Sequence, residues 1–231
     1  MSLTEEAQFV SGAKSGLIFK PYVFKEFNNA RIAIIGQAYP YTPIANPKHL
    51  IPDWQFGIQE QRLQHTVNEI KQQKSADVIV LLSHNGMDVD LKLASRISGV
   101  DIILGGHTHD AVPQPIWVKN SGGKTCVTNA GSHGKFLAVL DLDVHQNCLR
   151  DLRYRLLPVF SNLLEPDADM QGLINKVRQP YLTKLQQAVG VADRLLYRRD
   201  TYQGTFDQLI LAALLTTHDS QIALSPGFRW G

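Results

Sequence analysis

The stretch "ADVIVLLSHNGMDVDLKLASRISGVDIILGGHTHD", residues 76 to 110, decides the fold. "ADVIVLLSHNG" and "VDIILGGHTHD" each contain a run of aliphatic residues too continuous for a half-exposed strand, so both read as strands covered on two faces. Between them "MDVDLKLASRISG" has helical character, with Gly99 as its C-terminal stop. Strand, helix and strand over about 30 residues form a βαβ unit, which implies parallel neighbouring strands and a right-handed crossover. Both strands then end on one edge of the sheet. Ligands of open α/β sheets collect beyond that edge.

Upstream, "ARIAIIGQAYP" (residues 30 to 40) reads as another buried strand, ending at Gly36. "YPYTPIANPKHLIPDW" follows, where Pro40, Pro43, Pro47 and Pro52 argue against a regular helix or a central strand. It reads as an ordered loop, either shaping an entrance or packing structurally. Apolar residues at 63, 67 and 70 predict an amphipathic helix over Gln59 to Lys74, with His65 on its surface. Downstream, "KTCVTNAGSHGKFLAVLDLDV" and "LRDLRYRLLPV" alternate and predict antiparallel, half-exposed strands. The first half is thus α/β, turning β-rich at its end. From about Pro158 the pattern becomes helical and breaks near Pro180, suggesting a connector helix and a second unit. "GTFDQLILAALLTTHDSQIALSPGFRWG" predicts a helix, a strand and a turn. A domain seldom stops on such a boundary, so this end reads as a truncation.

With 231 residues, 44% apolar and 19% charged, the composition is that of a globular protein. A net charge of +2 gives no argument for a nucleic-acid or membrane partner. No run reaches the roughly 18 to 20 apolar residues of a membrane span, and the N-terminus lacks the pattern of a signal peptide. The two cysteines, Cys126 and Cys148, occupy no metal-binding spacing. Their separation leaves open whether they pair.

The βαβ geometry delivers His84, His107 and His109 to one sheet edge, beside Gly105 and Gly106. Neutral imidazole is a good ligand for divalent transition metals. Singly, each histidine has a plainer role in a turn or a loop; together they predict part of a metal site, with Asp110 behind it. Asp88 and Asp90 fit the first helical turn, where carboxylates offset the helix dipole. His133, in "AGSHGKF", sits in a Gly-rich turn near the site and is a candidate substrate contact. His49, His145 and His218 read as surface residues, while Trp54 and Trp230 either line a cavity or only pack. Imidazoles alone do not build a hydrolytic two-metal centre, which needs carboxylates as well.

"LLSHNGMDVDLKLASRISGVDIILGGHTHD" resembles the second half of 5'-nucleotidase-type calcineurin-like metallophosphoesterases, with their H-x-G and G-G-H-T-H motifs. "GQAYPYTPIANP", "YRLLPVFSNLLEPD", "GTFDQLIL" and "SPGFRWG" are more narrowly similar to the SoxB thiosulfohydrolase family of bacterial sulfur oxidation. The resemblance implies a partial metallophosphoesterase-type β-sandwich with flanking helices over residues 1 to 158. A linker helix and the start of a 5'-nucleotidase C-terminal-type domain would follow over 159 to 231. It implies two divalent metal ions, usually manganese, with His84 and His107 on one and His109 on the other. By the same resemblance Arg229 falls where nucleotidases carry a substrate-gripping arginine. The family's early D-x-H, G-D and G-N-H-E motifs, which precede a segment like Gly16 to Asn28, have no counterpart here. The isolated chain is therefore expected to lack a catalytic histidine, bind metal weakly and show no turnover.

By the same resemblance the parent protein is a periplasmic metal-dependent hydrolase. It would release sulfate from a cysteine-bound thiosulfonate on the C-terminal tail of a sulfur-carrier protein. A 5'-nucleotidase or related phosphoesterase is the alternative enzyme. A non-catalytic carrier-binding module is the alternative of another class.

Overall fold

The computed structural model describes residues 2–3, 20–198 and 204–225. The chain divides into two units, Met1–Phe160 and Ser161–Gly231. In the first, β1 (Ser2–Leu3) pairs antiparallel with β4 (Trp54–Gln55). The main sheet has six strands, in the order β2 (Tyr22–Phe27), β3 (Ala30–Gln37), β5 (Val78–Ser83), β6 (Ile102–Gly105), β8 (Gly123–Asn129) and β7 (Ile116–Asn120). The inner four run parallel, and β2 and β7 close the edges antiparallel. The βαβ reading of residues 76 to 110 is met, with α3 (Met87–Arg96) crossing from β5 to β6.

Strand residues alternate between two apolar layers rather than between a core and water. Ile79, Leu81 and Ile103 join Leu63, Val67 and Ile70 of α2 (Glu60–Gln72) and Leu93 and Ala94 of α3. Val78, Val80, Ile102 and Cys126 face the other way, onto the antiparallel hairpin of β9 (Phe136–His145) and β10 (Cys148–Pro158). Gln146 and Asn147 turn that hairpin with φ of 50° and 61°, the left-handed pair that suits the twist of a two-residue connection. The Asn147 amide then donates to Asp77 Oδ1 at 2.8 Å, and Asp77 Oδ2 accepts from the Arg31 N–H at 2.6 Å. One carboxylate thus ties the hairpin tip to the start of β3.

Three readings of this unit change, and the open question of the cysteines closes. Residues 123–129 were expected to be antiparallel and half exposed, yet β8 runs parallel to β6 and is buried from Thr125 to Asn129. Its polar members are tolerated where they find partners: the Thr125 hydroxyl donates to the Val100 carbonyl at 2.7 Å and accepts from Asn120 Nδ2 at 3.0 Å. The proline-rich loop contains one helical turn, α1 (Thr42–Ala45), because Pro43 stands in the first turn, where its missing N–H costs nothing. Helix α3 stops at Arg96 with Ile97 already extended, and Gly99 turns the chain only afterwards, at φ +87°. Cys126 is buried and free, its thiol pushed up to about 11 by burial, and Cys148 is exposed and free.

The second unit is helical among its described residues: α4 (Ala168–Arg178), a 3-10 turn at Gln179–Tyr181, α5 (Leu182–Leu185) and α6 (Thr205–Thr217). Asp167 caps α4 by accepting the Met170 N–H at 2.8 Å. The break expected at Pro180 is this 3-10 turn. No strand follows α6 within residues 218–225, where one was expected.

Two outcomes follow from this packing. Ile70 is 0% exposed between α2 and the sheet. Ile70→Ala should cost about 2–5 kcal/mol of unfolding free energy, read by urea titration. Asp101 bridges β5 and β6: its N–H donates to the Ile79 carbonyl at 2.9 Å and its Oδ2 accepts the Ile79 N–H at 2.8 Å. Burial raises its pKa, opposed by the Ile79 N–H and by Lys71. The folded state therefore holds this proton more tightly than the unfolded one. The contribution of Asp101 to stability falls as pH rises from its ordinary 3.8 through the raised folded value. Asp101→Asn keeps an acceptor for Ile79 and should remove that slope in melting curves taken across this range.

Candidate metal centre

His84 directly follows β5, and its N–H donates to the Gln37 carbonyl at 3.0 Å, extending the β3–β5 ladder by one rung. The register pairs Leu82 with Leu104, so Gly106 falls opposite His84. A Cβ on residue 106 would stand 3.3 Å from His84 Nδ1. The glycine therefore gives the ring its room. Beyond it, His107 and His109 both adopt left-handed backbone, φ 74° and 59°, and His133 does the same at 58°. Such conformations are costly for residues with side chains and persist only where surrounding contacts enforce them.

For His107 and His109 those contacts come from Thr108 between them. Its hydroxyl donates to Asp110 Oδ2 at 2.5 Å and accepts the Met87 N–H, an unpaired donor of the α3 N-terminus, at 3.1 Å. The loop is thereby fastened to the helix between the two strands. Gly86, at φ +100°, lets it approach: a Cβ there would lie 3.0 Å from the Thr108 methyl. Asp110, expected behind the histidines, instead secures this threonine.

The rings fall into two pairs. His84 and His107 have centroids 5.2 Å apart, and Tyr39 stacks on His107 at 4.0 Å while meeting His84 edge-on at 6.1 Å. His109 lies 5.7 Å from His133, whose Nδ1 is 2.9 Å from Ser132 Oγ. His109 Nδ1 is buried with no partner among the described residues. Of the three imidazoles expected to converge, His84 and His107 pair with each other, while His109 pairs with His133. Among the described residues no group of three or more His, Cys, Asp or Glu side chains is gathered as a metal cage.

Burial lowers the His107 pKa, and the nearby His84 and His109 lower it further. Both effects favour the neutral ring. The donor set suits a divalent cation through its unpartnered nitrogens, but supplies imidazoles without carboxylates. Arg229 and Trp230 lie outside the described residues. His49, His65, His145 and His218 are exposed, as their positions predict. Trp54 stacks on Phe56 at 6.2 Å. A cleft of about 640 Å³ opens beside His84, walled also by Gln37, Phe56, Arg62, Leu82 and Gly105.

Sequence reasoning missed Tyr39 as a ring partner, Thr108 as the fastener and Asp90 as a buried group. The threonine of the G-G-H-T-H motif was a visible signal. Nothing in the spacing marked Tyr39, which reaches the site across the sheet edge.

No family model matches the chain. A Thermus thermophilus sulfate thiohydrolase SoxB structure superimposes with a TM-score of 0.79 and 32% identity, covering 94% of this chain and 38% of that one. A 5'-nucleotidase precursor from Thermus thermophilus gives 0.76 and 26%, covering 90% and 45%. The trifunctional nucleotide phosphoesterase protein YfkN of Bacillus subtilis is 29% identical over 136 residues, 58% of this chain and 9% of that protein. The chain spans less than half the length of each. The chain thus has the mixed α/β architecture of the metallophosphoesterase domains of SoxB and the 5'-nucleotidases, and is similar to them in sequence.

Proposed function

We propose that the whole protein is a divalent-metal-dependent hydrolase of anionic esters, and that the ester is a nucleotide phosphoester. The observation that carries the reading is the His84–His107 pair, 5.2 Å between rings, at the carboxyl ends of two adjacent parallel strands. In this reading His84 and His107 hold one cation, and His109 offers its unpartnered nitrogen to a second. Bound cations would supply hydroxide near neutral pH and offset charge building on the reacting centre. Tyr39, stacked on His107, keeps that imidazole from turning. Lys20 and Arg62 in the adjoining cleft give it the positive character an anionic substrate needs. The nucleotidases and nucleotide phosphoesterases among the relatives support this ester class.

A second reading, a thiosulfohydrolase, is favoured by the higher identity and TM-score of the SoxB structure. The substrate would then be a thiosulfonate on the C-terminal cysteine of a sulfur-carrier protein, hydrolysed with manganese in the periplasm. Arg229 and His133 would be its substrate contacts.

Calorimetric titration of the chain with Mn²⁺ tests the shared step. Weak binding is expected, because imidazoles alone hold manganese poorly, and it should vanish in the His84→Ala, His107→Ala double variant. Binding unchanged by that double substitution would refute both readings. Assays of the whole protein then separate them: phosphate release from AMP supports the first, and sulfate release from a peptide ending in a thiosulfonated cysteine supports the second.

A further inference from the structure

Asp90 stands in the first turn of α3, where a carboxylate ordinarily faces water and offsets the helix dipole. Here it is 0% exposed. A buried carboxylate is costly unless it is held by hydrogen bonds, and a leucine would serve the apolar face of this helix better. Its partners are the two residues that flank His84. The Ser83 hydroxyl donates to Asp90 Oδ1 at 2.5 Å and the Asn85 amide donates to the same oxygen at 3.1 Å. Ser83 Oγ also accepts the Asn85 N–H at 3.2 Å, closing a ring of bonds around the backbone of His84.

The second oxygen, Oδ2, has no partner among the described residues and lies against the end of β6. A Cβ on Gly105 would stand 2.9 Å from it and 3.4 Å from the Thr128 carbonyl oxygen. A side chain there, two positions before His107, would have to displace the Asp90 carboxylate. One buried side chain therefore touches both strand ends that carry the paired imidazoles.

We infer that Asp90 is a positioning residue, holding the ends of β5 and β6 so that the rings of His84 and His107 stay together. The inference rests on the proposed role of those rings as metal ligands, although the geometry it concerns exists without metal. Asp90 Oδ1 only accepts, from Ser83 and from Asn85, and an amide oxygen at the same position can accept the same two bonds.

The test compares Asp90→Asn, Asp90→Leu and, as a packing control in the same helix, Leu93→Ala. Two readouts are taken on the full chain: the histidine ring proton–carbon NMR signals without metal, and calorimetric titration with Zn²⁺ alone. In the native chain the His107 signals should be displaced by the stacked Tyr39 ring. Asp90→Asn should preserve these signals and the Zn²⁺ affinity. Asp90→Leu should move the His84 and His107 signals toward those of free imidazole and weaken Zn²⁺ binding by about tenfold or more. Leu93→Ala should lower the melting temperature yet move neither readout. If Asp90→Leu does not fold, the Ser83→Ala, Asn85→Ala double variant decides, and is expected to shift the same signals. A folded Asp90→Leu with native ring signals overturns the inference, as does an Asp90→Asn chain as displaced as the leucine variant. Ring signals that respond to Asp90→Leu in a chain whose Zn²⁺ titration ignores His84→Ala would uphold the positioning role and remove the metal reading.

Discussion

The parallel pairing of β5 with β3 on one side and β6 on the other is the constraint on which the site depends. It holds because β5 is aliphatic on both faces: Ile79 and Leu81 are covered by helices, and Val78 and Val80 by the β9–β10 hairpin. Each such side chain contributes about 1.5–3 kcal/mol on full burial. A slip of one residue would exchange the two faces, and a strand with two cores is held in place by both. Asp101 adds a polar clamp at the other end of the same pair, exchanging two hydrogen bonds with Ile79. With the register fixed at both ends, the position of His84 opposite Gly106 is settled before any loop is considered.

Polar groups at the carboxyl edge run against the apolar rule of the layers beneath. Ser83, Asn85, Asp90, Thr128 and Asn129 are all buried there. Several of their atoms have no partner among the described residues, which makes the edge a place of lower intrinsic stability than the sheet. Left-handed backbone at His107, His109 and His133 adds to that cost. At His107 and His109 the Thr108 bridge to Met87 and Asp110 sustains it. Cost concentrated at one edge, repaid by packing elsewhere, is how a scaffold presents reactive groups.

The chemistry follows from the same environment. Desolvation and the nearby His84 and His109 lower the His107 pKa, which favours the neutral ring, the form that can act as a ligand. Tyr39 supplies an aromatic face instead of a charge. The imidazoles stand as two pairs rather than one triad, His84 with His107 and His109 with His133.

The residues of "ADVIVLLSHNGMDVDLKLASRISGVDIILGGHTHD" were enough to determine two buried strands, the helix between them and the shared edge where His84 and His107 meet. Unbroken aliphatic runs and helical spacing are local properties, and parallel pairing follows from them. The burial of β8 was not legible, because threonine and asparagine in a strand look solvent-facing until their hydrogen-bond partners are known. For the same reason Asp90 looked like a surface carboxylate. Tyr39 and His133 also depended on the fold: their ring partners lie 68 and 24 positions away in the chain, at His107 and His109. Sequence alone determined which groups reach the edge, since strand direction is written in local pattern. Only the tertiary structure decided which of them touch, since contact depends on loop backbone and on buried polar bonds between distant segments.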